Sequence, residues 1–253
     1  MQYSAYTHRE ELRRGFITAN GCRVGVAGTA VVENGEVTGY RSLTSLCIRV
    51  AREHIGCASS LAEILFENGI HSALICSEPA GGKTGLLRDL AREAADRRFS
   101  VSVIDERGEL SGFSSLDGCD VLYGAPKAEG IEQAVRCLSP RVVLLDELGN
   151  GAELRAVHDA AVRGVPTIAT VHARSTANLK QRPALVSLLK NDVFEYTVLL
   201  CGRHAPGVIV SVQKTKEWLY GDDRGGTLVD NGGRVRHFGA ARVVATHRHV
   251  GML

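Results

Sequence analysis

The eight residues Ser77-Glu78-Pro79-Ala80-Gly81-Gly82-Lys83-Thr84 fit the phosphate-binding pattern G-x-x-x-x-G-K-[ST] at every fixed position except the first, where Ser77 stands for glycine. That pattern works only in one structural setting. A strand must deliver the chain to a tight loop whose backbone N–H groups turn inward, and a helix must follow with its amino terminus facing the phosphates. The flanks predict both, since residues 72–76 read as a strand and about 83–97 as a helix. In such a loop the stretch from Ser77 to Gly85 would wrap a nucleotide. Lys83 would reach the β and γ phosphates of ATP, and the Thr84 hydroxyl would ligate Mg²⁺. A Cβ at position 77 is expected to cost about 1 kcal/mol or more if the backbone there needs positive φ. Gly85 puts a poor helix former in the first turn, where that costs least.

Downstream the pattern alternates. Strand-like 100–105 is followed by a looser Gly/Ser-rich stretch, a helix near 129–138, a short apolar run 141–145, a helix 152–163 and a strand 165–171. Short β-branched strands alternating with helices predict an α/β fold with a mainly parallel sheet, whose ligands bind at the carboxyl ends of the strands. Those ends carry polar residues. RVVLL runs into Asp146-Glu147 and reads as a Walker B strand, with Asp146 holding Mg²⁺ through water and Glu147 orienting or deprotonating the attacking water. VSVID ends in Asp105-Glu106-Arg107, and TIATVHAR brings Thr170, His172 and Arg174 to a strand tip. A histidine there would donate a hydrogen bond to the γ-phosphate. Each feature alone is common at strand ends, and their coincidence with the Gly-rich loop favours chemistry.

Upstream, residues 22–32 and 36–41 flank Asn34-Gly35, a favoured hairpin turn, and 45–52 reads as a further strand. Ser59 and Ser60 are placed to cap a helix carrying Leu61, Ile64, Leu65 and Phe66. After Gln181, segments 194–201 and 207–212 read as an antiparallel extension around Ala205-Pro206. The last forty residues read as a loose hairpin or partial disorder, with His247 and His249 solvated. The organisation expected is a partial β-rich unit at 1–56, an ATPase core at 57–213 and a divergent tail at 214–253.

Composition narrows the function. Thirty Lys and Arg against 28 Asp and Glu leave a net charge of +2, and aromatic residues make up 5%, so no basic stripe or stacking platform points to nucleic acid. Seven cysteines without a C-x-x-C pair read as reduced thiols, not a zinc site or a disulfide framework. No stretch free of Asp, Glu, Lys and Arg exceeds ten residues, so no membrane span is expected, and the start MQYSAYTHREELRR lacks the apolar segment of a secretory signal.

In order, RRGFITANGCRVGVAG, SLCIRVARE, GGKTGLLRDLARE, VIDERGELSG, DVLYGAPKAEG, LSPRVVLLDELG and TIATVHARS resemble the stage III sporulation protein AA family, from about Glu10 to Gln213. That resemblance implies a RecA-like P-loop ATPase core after an amino-terminal β-containing domain, of which the chain would hold only a part. It implies a hexamer at the cytoplasmic face of a membrane channel linking mother cell and forespore, with relatives in type II and type IV secretion and pilus machines. By the same resemblance Lys83 and Thr84 match the nucleotide loop, Asp105 with Glu106 the acidic box, Asp146 with Glu147 Walker B, and His172 the histidine box. Arg49 and Arg52 lie in a segment similar to amino-domain arginines that approach nucleotide. Two other classes compete: a nucleotide-binding scaffold with little hydrolysis, which Ser77 favours, and a RecA-type nucleic-acid motor.

Overall fold

The computed structural model describes residues 13, 15–19, 22–49, 53–110, 114–149, 151–220, 226–229 and 235–238. Strands β1 (Phe16–Ala19), β2 (Cys22–Glu33) and β3 (Glu36–Arg49) form an antiparallel three-stranded sheet in that order. The β2–β3 turn falls on Asn34 and Gly35, both at positive φ (53° and 82°), as the Asn-Gly pair predicts. The sequence separates 36–41 from 45–52, but the chain runs through both as one strand to Arg49. The reason is a bulge. The β2–β3 register shifts between Ala27 and Thr29, Ser42 takes φ 49°, and Gly28 faces it at close quarters, since a Cβ would lie 3.0 Å from Arg41 O. Two extra residues of β3 absorbed this way bend the strand without ending it.

The second sheet has nine strands: β4 (Ala73–Ser77), β5 (Val101–Asp105), β6 (Asp120–Tyr123), β7 (Val142–Leu145), β8 (Thr167–His172), β9 (Tyr196–Leu200), β10 (Ile209–Lys214), β11 (Gly226–Val229) and β12 (Val235–Phe238). Their spatial order is β12-β11-β10-β9-β4-β8-β7-β5-β6. From β9 to β6 every neighbouring pair is parallel, and β10 to β12 extend the sheet antiparallel from β9. Strands β4, β5 and β7 are buried at every position, which is why their residues are mostly apolar instead of alternating with exposed polar ones.

Helices cover both faces. On one, α1 (Ser59–Phe66) and α2 (Lys83–Asp96) pack Leu61, Leu65, Leu86 and Leu90 against Ile75, Val103 and Leu144. On the other are α3 (Lys127–Gln133, continued by the π-helical Ala134–Leu138), α4 (Gly151–Val162), α5 (Thr176–Lys180) and α6 (Pro183–Lys190). They pack Ile131, Val157, Leu188 and their neighbours against Leu74, Ile104 and Leu145. Adjacent residues of β4 thus serve opposite cores, as a strand's two-residue period requires.

Three local expectations change. The α1 start is capped from across the interface, because the Ala58 N–H donates to Asp89 Oδ2 at 2.7 Å while Ser59 Oγ donates to Glu93 Oε1 at 2.7 Å. A short strand, β6, emerges from the Gly/Ser-rich stretch. Past Gln213 the secondary structure continues without a break: Lys214 ends β10, and α7 (Thr215–Tyr220) buries Trp218, with Thr215 and Thr197 hydroxyls 2.9 Å apart. The 226–229 and 235–238 segments do form a hairpin, paired to β10 through Thr227 and Val212.

Candidate nucleotide site

The parallel order β4-β8-β7-β5 sets four strand ends side by side, so residues distant in sequence converge at one edge. The Gly-rich loop leaves β4 with Ala80 and Gly82 at positive φ (61° and 87°) and turns directly into α2. Ser77 is not among the positive-φ residues. It is the last residue of β4, and its carbonyl accepts the Ala173 N–H at 3.1 Å, so the backbone cost expected of a non-glycine there is not incurred. The cost lies in the side chain. Ser77 Oγ is buried with no hydrogen-bond partner among the described residues, and a Cβ on Gly81 would overlap it. Burying a hydroxyl unpaired costs about 1–3 kcal/mol.

Lys83, 6% exposed, donates to the loop carbonyls Glu78 O (2.9 Å) and Ser77 O (3.3 Å), and its Nζ lies 2.9 Å from His172 Nδ1. His172 Nε2 is 3.3 Å from Glu147 Oε1, and Glu147 Oε2 accepts from Arg107 Nη1 at 3.2 Å. An ammonium has protons only to give, so Nδ1 accepts and the neutral ring carries its proton on Nε2, the nitrogen nearer the Glu147 carboxylate. A line of contacts therefore joins the loop, β8 and the end of β7. Burial lowers the Lys83 pKa, and the Asp146 and Glu147 carboxylates partly offset that. Burial likewise pushes the Asp146 carboxyl up, against the hydrogen bond that Thr170 Oγ1 donates to Asp146 Oδ1 at 3.0 Å. Thr84 is half-buried at the start of α2.

Not every candidate residue joins this line. Asp105 is 1% exposed, and its two oxygens accept the Glu109 and Leu110 N–H groups at 2.9 and 3.1 Å, so this carboxylate shapes the turn after β5. Arg88 of α2 holds the same turn through Glu109 O and Leu110 O. Glu106 meets Lys127 Nζ at 3.7 Å. Arg49 ends β3 with its side chain outside the description, and Arg52 lies outside the described residues.

Sequence reasoning passed over Lys127, which is 5% exposed and donates to Glu147 O at 2.7 Å. The signal available was its place as the first residue of α3, where the helix dipole disfavours a cation unless it has a specific partner. It also passed over the 202–207 loop between β9 and β10. Gly207 N–H donates to Gly81 O at 2.9 Å, and a Cβ on Gly82 would meet Gly207 Cα at 2.8 Å and Pro206 C at 2.9 Å. Arg203 of this loop and Arg174 both pair with Glu78, at 3.7 and 3.0 Å.

The Thr84 hydroxyl and the Asp146 carboxylate are hard oxygen donors of the kind Mg²⁺ takes. Among the described residues no cluster of three or more His, Cys, Asp or Glu is placed to hold a metal, so a divalent ion here would draw its remaining ligands from phosphate and water.

A family model for sporulation stage III, protein AA, matches residues 1–218. Stage III sporulation protein AA of Bacillus subtilis is 36% identical over 225 residues, covering 83% of this chain and 73% of that protein. Among solved structures, the pilus retraction motor PilT with bound ADP aligns at TM-score 0.54 and 14% identity over 78% of this chain and 62% of that one. The Yersinia pseudotuberculosis ATPase DotB aligns at 0.51 and 13% over 78% and 60%. Likeness at this identity shows the fold, an α/β P-loop ATPase core with a mainly parallel sheet.

Proposed function

The chain belongs to the stage III sporulation protein AA family, and from that premise we propose that it is a Mg²⁺-dependent ATPase that energises or assembles a membrane-associated complex. The observation that carries the reading is the contact line Lys83–His172–Glu147, which ties the Gly-rich loop to the carboxylate at the end of β7. In this reading the residues from Ser77 to Gly85 wrap the triphosphate, and Lys83 exchanges its loop carbonyls for the β and γ phosphate oxygens. Glu147 orients a water and takes its proton as the water oxygen bonds to the γ-phosphorus and the bond to the β-phosphate oxygen breaks. His172, with Nδ1 on Lys83 and Nε2 3.3 Å from Glu147, is placed to report the state of the γ-phosphate to that carboxylate. Mg²⁺, held by Thr84 and by Asp146 through water, would neutralise phosphate charge. Asp105 acts by shaping the turn that carries Glu106 and Arg107.

The resemblance extends the proposal to a homo-hexamer at the cytoplasmic face of a sporulation channel in the mother cell. Among the described residues no helix is long and apolar enough to cross a membrane. Phosphate release from the purified oligomer tests the reading. Lys83→Ala is expected to abolish nucleotide binding, and Glu147→Gln to keep binding while lowering turnover about 100-fold or more. Turnover that survives Glu147→Gln, or is absent from the wild type, refutes it. One observation favours the scaffold reading: the unpartnered Ser77 hydroxyl packed on Gly81. Under that reading Ser77→Gly raises turnover, and under the leading one it leaves turnover little changed.

A further inference from the structure

Glu147 has φ 36°, a left-handed backbone that residues with a Cβ avoid. Such strain persists only where the surroundings over-determine it. Here they do so on both sides of the residue. The Glu147 N–H donates to Thr170 Oγ1 at 3.0 Å, and Glu147 O accepts from Lys127 Nζ at 2.7 Å. The peptide that carries this carbonyl is held at its other side as well, with the Leu148 N–H donating to Thr170 O at 2.7 Å.

Neither holding group is free to do something else. Thr170 is fully buried in β8 and directs its hydroxyl proton to Asp146 Oδ1, so one oxygen fixes both members of the Asp146-Glu147 pair. Lys127 is buried at the positive end of α3, where its charge is disfavoured. A lysine buried simply to pair with Glu106 would sit closer to it than 3.7 Å. Its short contact is to the Glu147 carbonyl.

We infer that Lys127 and Thr170 are positioning residues that clamp the two peptides flanking Glu147, holding its carboxylate between His172 and Arg107. The inference rests on the proposed role of Glu147 in orienting water. Released from the clamp, the backbone at 147 relaxes to an ordinary φ and the carboxylate leaves His172. Both clamp residues are engaged with the Asp146-Glu147 segment itself, so their loss is expected to fall on turnover and not on binding.

Two measurements on the full chain test this. In the first, kcat and the affinity for a fluorescent ATP analogue are compared for Lys127→Met, Thr170→Val and Thr170→Ser. The first two are expected to lose roughly 10- to 100-fold in kcat with affinity changed less than about twofold, and Thr170→Ser to stay within about threefold of wild type. Binding lost to the extent seen with Lys83→Ala would make Lys127 a phosphate ligand and overturn the inference, as would an unchanged kcat. The second measurement does not depend on turnover. Glycine takes positive φ freely and alanine does not, so Glu147→Gly is expected to melt about 2–4 °C above Glu147→Ala. In the Lys127→Met background that gap closes. If Lys127→Met does not fold, Thr170→Val carries the same comparison from the other side. A gap that persists unchanged refutes the clamp whatever the activity. A gap that closes while the wild type hydrolyses nothing refutes the ATPase reading and leaves the clamp standing.

Discussion

Gly82→Ala is the substitution whose effect follows most directly from the site geometry. Gly82 sits at φ 87°, and a Cβ there would press on Gly207 Cα and Pro206 C, both backbone atoms that cannot rotate aside. Forcing a residue with a Cβ into left-handed backbone costs about 1 kcal/mol. Relieving the overlap means lifting the 202–207 loop and breaking the Gly207 N–H bond to Gly81 O, about another 1 kcal/mol. The sum, about 2 kcal/mol, corresponds to a fall in Tm of roughly 4–8 °C for a chain of this size. Gly85→Ala is the internal comparison. Nothing lies within 4 Å of its added Cβ, and it occupies the first turn of α2, so its Tm is expected to hold or rise slightly. Thermal melts of the two variants side by side, without nucleotide, decide the matter. If Gly82→Ala melts with Gly85→Ala, the packing of the β9–β10 loop on the Gly-rich loop is not what holds this corner together.

Two further outcomes are expected. Glu93 is partly desolvated, but hydrogen bonds from Arg97, Ser59 and Arg92 hold its pKa down to about 2 against an ordinary 4.5. The stabilisation is therefore fully present above pH 4.5 and lost as pH falls toward 2. Glu93→Gln should flatten that part of the stability profile, removing on the order of 2–3 kcal/mol measured by urea titration at neutral pH. Burial pushes the thiols of Cys57 and Cys76 up to about 12, while Cys47, Cys137 and Cys201 are exposed. Iodoacetamide at pH 8 should alkylate those three first. Rapid labelling of Cys76 in the folded protein, read by peptide mass spectrometry, would contradict its burial in β4.

Strand ends that carry polar residues were legible because apolar runs closing on Asp146-Glu147, Asp105-Glu106 and His172 leave little doubt where a parallel sheet opens. The direct contacts were not. Lys127 reads as one more helix-surface lysine until the fold swings the Glu147 carbonyl over it. Gly207 reads as a turn residue, and nothing in the local pattern says which distant backbone it will touch. The bulge at Ser42 hid the length of β3 because a non-glycine at positive φ has no sequence signature. Ser77 shows the converse limit. Its departure from the loop pattern was visible, but whether the cost would fall on φ or on an unpaired hydroxyl depended on where β4 ends.

The place of β4 in the sheet also sets the order in which the protein can be completed on the ribosome. Its lateral partners are β8 and β9, with Ala73 opposite Ile168 on one side and Tyr196 on the other. Synthesis reaches Ser77 well before Thr167 exists, so the apolar segment ALICS waits with both edges open for a time on the order of 5–20 s at ordinary elongation rates. Gly207, which closes over Gly82, emerges later still. A nascent chain interrupted anywhere between these points carries an unpaired, mostly apolar strand and an unfinished loop. Early protection of this strand must come from α1 and α2 packing on its face, or from a chaperone.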